Sequence, residues 1–392
     1  MSSTEITLPP PLSTAARRRR RRWPYVVGAL VVVVVAALAW AGFTTAPYYE
    51  LTPGQAQSVA GLITVPREQA HTPGGKLLLT DVELNTMRYL QFIPAWFDPD
   101  ASVVSAGELT GNLPVGEFDA QGTVDMTESQ LTAEAVALRQ LGYSVPERDA
   151  GVTVYVLDPS SPGYKVLHVG DVVTSVDGTP TPNPDALVAA VHKYRPGDTV
   201  TLQVGSIQNP TPGRAVTLRL SSLRDSKGIA QPFIGIGDPH VDIPSMGTQP
   251  VYTLPFPVSI SSDNIGGPSA GLVFALGIID SLSGGHLTGG KAVAATGTIR
   301  PDGSVGDVGG VAQKTVAVER SGATLFLVPP QELAVAQSKA NGRLRVKAVA
   351  TLAQALAALQ QIGGTLGAAA SGPPAGPGGH GVPYGWQNSP WT

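Results

Sequence analysis

An apolar run without a single charge, from Tyr25 to Phe43, divides this chain of 392 residues into unequal parts. About 20 apolar residues suffice to cross a bilayer as a helix, so we predict a transmembrane anchor over residues 24–46. Six consecutive arginines, Arg17–Arg22, precede it within a basic segment, residues 1–23. Because basic flanks stay in the cytoplasm, we expect the bulk of the chain outside the cell membrane. A cleaved signal peptide is the alternative, since small residues follow at Thr44–Ala46.

Composition excludes several classes of site and partner. The sequence contains no cysteine, which rules out disulfides, thiolate metal ligands and a cysteine nucleophile. None of the six histidines lies in a metal-ligand pattern, so we predict no metal and no other cofactor. The chain beyond Ala46 contains 20 basic and 28 acidic residues. An acidic surface repels nucleic acid, which we therefore exclude as a partner.

Two glycine-rich motifs hold the residues that suggest catalysis. In the first, Gly266–Gly271, Ser269 stands just before Ala270–Leu282, whose apolar residues recur at helical spacing. The second, Gly309–Lys314, opens a helix that we predict from Val311 to Arg320, closed by Gly322. A serine hydroxyl needs a base to act as a nucleophile, and a desolvated lysine can be that base. Free N–H groups at the helix start, the serine's own first among them, can hold an oxyanion.

Each motif alone has a structural explanation, because such turns cap helices and lysines usually lie at the surface. Order and spacing point to function: Lys314 follows Ser269 by 45 residues and Thr296 by 18. Together with Gly267 and Pro268, these residues resemble the motifs of Lon-type Ser/Lys proteases. The resemblance implies an α/β (α+β) fold, Ser269 and Lys314 as a catalytic dyad, and a supporting contact from Thr296. It also implies a homo-oligomer, a hexamer in many relatives.

Two departures from that family affect the expected function. Many relatives carry an acid three positions before the serine, where this chain has Gly266; the nearest acid is Asp263. The sequence also lacks the ATPase motif of those proteases. Gly285–Ala292 has the spacing of a phosphate loop, but it ends in alanine at the position where Mg²⁺ binding needs Ser or Thr. We therefore predict an ATP-independent serine endopeptidase whose substrates are flexible or unfolded polypeptides.

Short strands around one helix, over residues 149–223, resemble a PDZ domain, most clearly at Val169–Gly178. The resemblance implies a groove that takes up a peptide end as an added strand. Because no Gly-Leu-Gly-Phe loop is present, a purely structural module that shields the active site is an equal alternative. The groove would lie along residues 151–156 and the helix predicted from Pro184 to Tyr194, and its expected residues are Gly151, Val152, Thr153, Val154, Leu187 and Val191.

The remaining segments complete the predicted organisation. Residues 47–148, with a strand at Gly74–Glu83 and a helix at Thr127–Leu141, resemble the early part of the Lon proteolytic domain, which residues 224–365 complete. The PDZ-like domain is then an insertion; an independent cap over 47–148 is the alternative. The glycine- and proline-rich residues 366–392 form a disordered tail. The competing function is a catalytically inactive, membrane-anchored module that binds peptides.

Overall fold

The computed structural model describes residues 15–224, 227–238, 241, 244–262 and 265–367. Residues 1–14 of the basic segment, Asp263 and almost all of the predicted tail lie outside them. The helices are α1 (Ala15–Phe43), α2 (Phe92–Phe97), α3 (Ala106–Thr110), α4 (Val115–Gln140), α5 (Pro184–Val191), α6 (Gly271–Leu282), α7 (Val311–Arg320), α8 (Leu333–Lys339) and α9 (Leu352–Gln360).

The strands lie between these helices, singly or in runs such as the six strands between α5 and α6. They are β1 (Thr45–Ser58), β2 (Ile63–Thr64), β3 (Lys76–Arg88), β4 (Ser102–Ser105), β5 (Glu147–Val154), β6 (Asp171–Val176), β7 (Thr179–Pro180), β8 (Thr199–Ser206), β9 (Arg214–Arg219), β10 (Ser221–Arg224), β11 (Ala230–Phe233), β12 (Met246–Tyr252), β13 (Ser259–Ile260), β14 (Ala292–Ala295), β15 (Thr298–Ile299), β16 (Val305–Gly306), β17 (Leu325–Val328) and β18 (Arg345–Ala348). This mixture of helix and strand is the predicted fold class.

One six-stranded sheet joins segments that are far apart in the sequence. Its order is β18-β17-β14-β3-β1-β4, parallel from β18 to β3 and antiparallel at β1 and β4. The strand β3 forms the junction, because Leu77 lies opposite Val293 of β14 while Leu79 lies opposite Gln57 of β1. Leu77, Leu78 and Leu79 are all buried, as expected for a strand covered on both faces. Residues on both sides of 149–223 therefore share one sheet.

Helix α6 lies in the centre of the core beside this sheet. It contacts β3, α4 and α9, so it is covered on several sides. The sequence predicted one buried face, yet Leu272 on that face and Phe274 and Ile278 on the opposite face are all fully buried. Burial all round explains why this helix is almost entirely apolar, with Asp280 and Ser281 near its end as the polar residues, since a helix at the surface would keep a polar face.

Helix α4 is longer than the helix predicted at Thr127–Leu141, because it begins at Val115. Its first half contains glycine and polar residues, which favour a helix only weakly. Contacts with distant segments supply the missing stabilisation: Tyr164 donates a hydrogen bond to Glu117 at 3.0 Å, and the carbonyl of Gly122 accepts one from Gly267 at 2.7 Å. Tertiary structure thus extends this helix toward the serine motif.

A second sheet with the order β12-β5-β6-β8-β9 contains the PDZ-like segment, and β7 pairs with β6 beside it. Its core includes Leu187 and Val191 of α5. The edge strand β12 comes from beyond residue 223 and runs antiparallel to β5, with Met246 opposite Val154. This unit therefore uses a strand that follows the predicted 149–223 segment in the chain.

The N-terminal helix α1 contains the apolar stretch Trp23–Phe43, whose side chains are almost all exposed. Among the described residues it is the helix that is long and apolar enough to cross a membrane, and a signal sequence would satisfy the same criterion. Strand β1 begins at Thr45, directly after the helix. The helix is therefore connected to the larger sheet without a linker.

Replacing Phe274 by alanine should test the central position of α6. The side chain is fully buried in the main core, so the cavity should lower the free energy of unfolding by about 3–5 kcal/mol. Denaturant unfolding of the full chain in detergent measures the change. The control Val335→Ala, on an exposed position of α8, should change stability by about 0.5 kcal/mol or less; equal effects of the two variants would contradict this packing.

Candidate active site

The serine motif forms a tight turn that enters α6. Gly267 has φ of +83°, a conformation that residues with a Cβ rarely adopt. Its N–H donates to the carbonyl of Gly122, and the Ser129 hydroxyl donates to the carbonyl of Pro268 at 3.0 Å. Both partners lie on α4. The long helix α4 therefore holds the turn in front of the predicted nucleophile, Ser269.

Two residues that follow β14 hold the backbone of Ser269. Its carbonyl accepts hydrogen bonds from the N–H of Gly297 at 2.9 Å and from the Thr296 hydroxyl at 3.2 Å. The N–H of Ser269 lies in the first turn that leads into α6. Backbone N–H groups at the start of a helix are donors of the kind that can stabilise an oxyanion.

Thr296 follows β14 and links the two other predicted site residues. The residue is 1% exposed, and its N–H donates to the carbonyl of Leu327 in the neighbouring strand at 3.0 Å. Its hydroxyl accepts a hydrogen bond from Nζ of Lys314 at 3.3 Å and donates to the Ser269 carbonyl. This one hydroxyl therefore connects the lysine side chain to the serine backbone.

Lys314 reaches this position from the first turn of α7. The helix starts after Gly310, which has φ of +67°, and a Cβ there would lie 2.6 Å from Cγ2 of Val82. Lys314 itself is only 4% exposed. Burial lowers the pKa of its amine to about 8, while the negative charges of Asp81 and Glu332 act in the opposite direction. At a pKa of about 8, about one amine in ten is neutral at pH 7.

The structure brings the lysine close to the serine through the threonine. Within the described part of the chain, the Ser269 hydroxyl makes no hydrogen bond with Lys314; the contact runs through Thr296. Nucleophile–base contacts are often longer in a free enzyme than in its substrate complex. The roles of these residues, and of Gly267 and Pro268, stay a prediction.

Sequence reasoning missed the residues of α4 that hold the serine turn. Ser129 and Gly122 are separated from Ser269 by well over a hundred residues, so no local motif connects them. The available signal was Gly122, since an isolated glycine within a helix often marks a close approach of another backbone. Here the approaching backbone is that of Gly266, and a Cβ on Gly266 would lie 3.5 Å from Gly122.

The same helix contacts the second sheet through a buried carboxyl group. Glu128 accepts a hydrogen bond from the hydroxyl of Tyr155 at 2.9 Å. The pKa of Glu128 is raised to about 7, chiefly by burial; the bond from Tyr155 lowers it, and the charge of the neighbouring Asp125 raises it. Glu128 is adjacent to Ser129, which holds the serine turn. Helix α4 therefore contacts both the predicted site and the PDZ-like unit.

The strand residues Gly151–Val154, along which the peptide groove is predicted, are paired on both sides. That strand pairs with β12 on one side and with β6 on the other, so its backbone has no open edge for a third strand. Leu187 and Val191 instead line an apolar pocket of about 320 Å³ beneath α5. Its other walls come from the segment after β9 and from β12, and the lining residues include Leu223, Phe233, Ile234, Ile236 and Met246.

The rejected phosphate loop connects α6 to β14. Nζ of Lys291, the lysine with phosphate-loop spacing, donates to the carbonyl of Ile362 at 2.7 Å. A Cβ on Gly289 would lie 2.7 Å from the backbone of Gly363. The amine and the glycine both serve packing against the chain that follows α9, which agrees with the rejection of a nucleotide site.

Comparison with known proteins assigns two segments. Residues 140–205 match the family model of the PDZ domain, and residues 261–361 match that of the Lon protease (S16) C-terminal proteolytic domain. These matches indicate serine protease activity combined with a PDZ domain, and both domains suit polypeptide substrates. Comparison with curated proteins finds no match.

Similar solved structures include the PDZ domains of the SdrC-like proteins from Listeria monocytogenes and Listeria innocua. The first is 28% identical, covers 22% of this chain and 84% of its own, and has a TM-score of 0.19. The second is 27% identical, covers 22% of this chain and 89% of its own, and also has a TM-score of 0.19.

Replacing Lys314 by methionine should stabilise the fold. The folded-state pKa of about 8 lies below the ordinary 10.5, so the folded protein binds this proton less tightly than the unfolded chain. At about 1.4 kcal/mol per pKa unit, the charged amine costs about 3 kcal/mol below pH 8. The cost fades as the pH rises toward 10.5. Lys314→Met should therefore raise the free energy of unfolding at pH 7 by up to that amount, with a smaller gain at pH 10.

The matched control is Lys76→Met, since Lys76 is exposed and its replacement should leave stability nearly unchanged. Denaturant unfolding of both variants at pH 7 and pH 10 provides the comparison. A Lys314→Met protein less stable than the parent at pH 7 would show that the amine is not desolvated.

Proposed function

We propose that this protein is a membrane-anchored, ATP-independent serine endopeptidase that cleaves flexible or unfolded polypeptides outside the cytoplasmic membrane. Ser269 is the nucleophile and Lys314 the general base. The observation that carries the proposal is the buried amine of Lys314 on the hydroxyl of Thr296, which also bonds the backbone of Ser269. A buried amine beside hydroxyl groups costs stability, so a function is the better explanation for it.

The proposed reaction follows from these positions. Neutral Lys314 takes the proton of the Ser269 hydroxyl while Oγ attacks the peptide carbonyl carbon. The N–H of Ser269 donates to the resulting oxyanion. As the peptide C–N bond breaks, the lysine returns the proton to the leaving amine and an ester remains on the serine. Lys314 then deprotonates a water molecule, whose attack on the ester releases the acid and restores the serine hydroxyl.

The pKa of Lys314 suits this cycle. With a pKa of about 8, about one amine in ten is neutral at pH 7. The protonated form is still a good acid for the leaving amine, because a catalytic pKa near the working pH serves both proton transfers. Thr296 can accept from the charged amine and donate to the neutral one, so it holds Lys314 in both states.

The substrate class is proposed from the loop 285–292, which lacks the Ser or Thr that a phosphate loop needs. Lys291 and Gly289 are used in packing, and without ATP-driven unfolding the enzyme depends on chains that are already extended. The apolar pocket beneath α5 supports binding of an apolar peptide end by the PDZ domain. A substrate whose end is bound there is retained on the same chain as Ser269.

Membrane attachment is proposed from α1. The stretch Trp23–Phe43 has 21 residues, about 31 Å of helix at 1.5 Å per residue, which matches a hydrocarbon layer of about 30 Å. Arginines precede it, which places the folded domains outside by the positive-inside rule. The shared sheet of β1, β3 and β14 supports a peptidase into which the PDZ domain is inserted. Assembly into a hexamer is proposed by resemblance to Lon-type proteases.

A second function has its own support. A catalytically inactive, membrane-anchored module would bind peptide ends in the pocket lined by Leu187, Val191 and Phe233 and keep the proteolytic fold as a scaffold. The glycine at position 266, in place of the acid found in many relatives, favours this alternative. It requires no chemistry at Ser269, and this is where the two functions separate experimentally.

Ser269→Ala and Lys314→Ala should each lower cleavage of an unfolded protein such as casein by about 10³-fold or more, because the two residues act as one unit. ATP should not change the parent rate. The controls Ser338→Ala and Lys193→Ala, both at exposed positions, should keep full activity. A serine-reactive probe should label the parent and fail on Ser269→Ala. Absence of labelling in the parent, with peptide binding intact, would establish the binding module instead.

The pH dependence of cleavage should follow the protonation state of the Lys314 amine. Because the base acts in its neutral form, kcat/KM should rise with pH through a midpoint near 8. The charge of Asp81 raises the pKa of Lys314, so Asp81→Asn should move this midpoint to lower pH. Glu332→Gln should act in the same direction. A midpoint that moves upward, or stays unchanged in both variants, would contradict Lys314 as the titrating base.

A further inference from the structure

Large apolar side chains are exposed on a short segment, residues 89–97, which we call the aromatic turn. It comprises a turn after β3 and helix α2. Ile93 is 61% exposed, Trp96 86% and Phe97 79%. Single apolar residues at a surface are ordinary, but a contiguous group of this kind marks a surface that contacts a protein, a membrane or a ligand.

The aromatic turn is fixed to the end of α1. The ring of Tyr89 stacks on Trp40 with centroids 5.3 Å apart. The N–H of Tyr89 donates to the carbonyl of Thr44 at 3.4 Å, and the Arg88 guanidinium donates to the carbonyl of Gly42 at 3.5 Å. The aromatic turn therefore stands at the same height along α1 as its last turn.

That height corresponds to a membrane interface if α1 spans the bilayer. The apolar stretch has the length of the hydrocarbon layer, with Trp23 near one end and Trp40 near the other. Tryptophan and tyrosine concentrate at the two membrane–water interfaces, where an apolar ring meets the lipid headgroups. Trp40, Tyr89 and Trp96 would then belong to one such belt.

An open groove beside α1 has the chemistry of a phospholipid site. Its volume is about 440 Å³, and it is lined by Gly42, Leu90, Ile93 and Pro94 together with the polar residues Arg88 and Gln91. Among the described residues Arg88 has no acidic partner. Mostly apolar walls with one guanidinium that lacks a described acidic partner suit an acyl chain and its phosphate, because guanidinium groups bind phosphate through several N–H donors.

We propose that the aromatic turn is a second membrane-contacting element, lying in the headgroup region of the leaflet that faces the folded domains. This inference rests on the proposed membrane span of α1. Ile93, Trp96 and Phe97 enter the boundary between headgroups and acyl chains, and Arg88 faces a lipid phosphate. Exposed aromatic side chains on a short helix bind interfaces in this way.

The contact would also orient the active site. The loop after α2 is bound to helix α7: Ser102 accepts a hydrogen bond from Gln313 at 2.7 Å, and Asp100 forms an ion pair with Arg320 at 2.8 Å. Gln313 is adjacent to Lys314. Lipid contact at Trp96 therefore fixes the lysine helix relative to the membrane, and substrates are reached close to its surface.

Single cysteines can test the proposal because the chain has none of its own. Ile93→Cys, Val33→Cys and Val335→Cys, all at exposed positions, are labelled with an environment-sensitive fluorophore in the full chain. The protein is placed in vesicles of phosphatidylcholine and phosphatidylglycerol that contain a quencher on the lipid chain. We expect strong quenching at positions 33 and 93, with blue-shifted emission, and little quenching at 335. Trp96→Asp in the Ile93→Cys protein should reduce the quenching at 93 and leave that of the Val33→Cys protein unchanged.

The outcomes separate the two proposals. Quenching at 33 without quenching at 93 overturns the membrane contact of the aromatic turn and keeps the spanning helix. Blue-shifted emission at 93 that the lipid quencher does not reach identifies a second copy of the chain as the occupant, which also overturns the inference. No quenching at either position overturns the span and the inference together. Unchanged quenching at 93 after Trp96→Asp would contradict the role in membrane contact that we assign to the aromatic residues.

Discussion

The proposed chemistry depends on the hydroxyl of Thr296, which hydrogen-bonds to both Lys314 and Ser269. It accepts from the amine of Lys314 and donates to the carbonyl of Ser269, so three separate segments converge on one oxygen atom. Burial of that amine lowers its pKa to about 8 and thereby makes it a base, but the same burial costs folding free energy. The rest of the fold must supply that energy, and the buried apolar side chains of helix α6 contribute to it.

Helix α4 completes the arrangement from the other side. Its Gly122 and Ser129 hold the backbone in front of Ser269, and its Glu128 bonds Tyr155 of the PDZ-like unit. The larger sheet shows the same dependence, since β3 pairs with β14 across the intervening PDZ-like segment. The serine motif therefore lies in a site built partly from residues that precede the PDZ domain in the sequence.

The folded part of the chain is also attached closely to α1. Strand β1 follows the helix at once, and α7 packs on β1. A helix in a bilayer would thus determine the height and tilt of Lys314 above the membrane. The loop between α2 and β4, which is bonded to Gln313 and Arg320, adds a second connection of the same kind.

The sequence by itself determined the elements with strong local signals: the charge-free run from Tyr25 to Phe43, the glycine-framed turn at Ser269 and the helix that follows it. These depend on neighbours in the chain, where spacing and residue type suffice. Only the tertiary structure decided that β12 closes the edge of β5, that the pocket faces Leu187 and Val191, and that α4 extends to Val115. Strand pairing and helix extension there depend on partners about a hundred residues away, and their free energy leaves no periodic pattern in the local sequence.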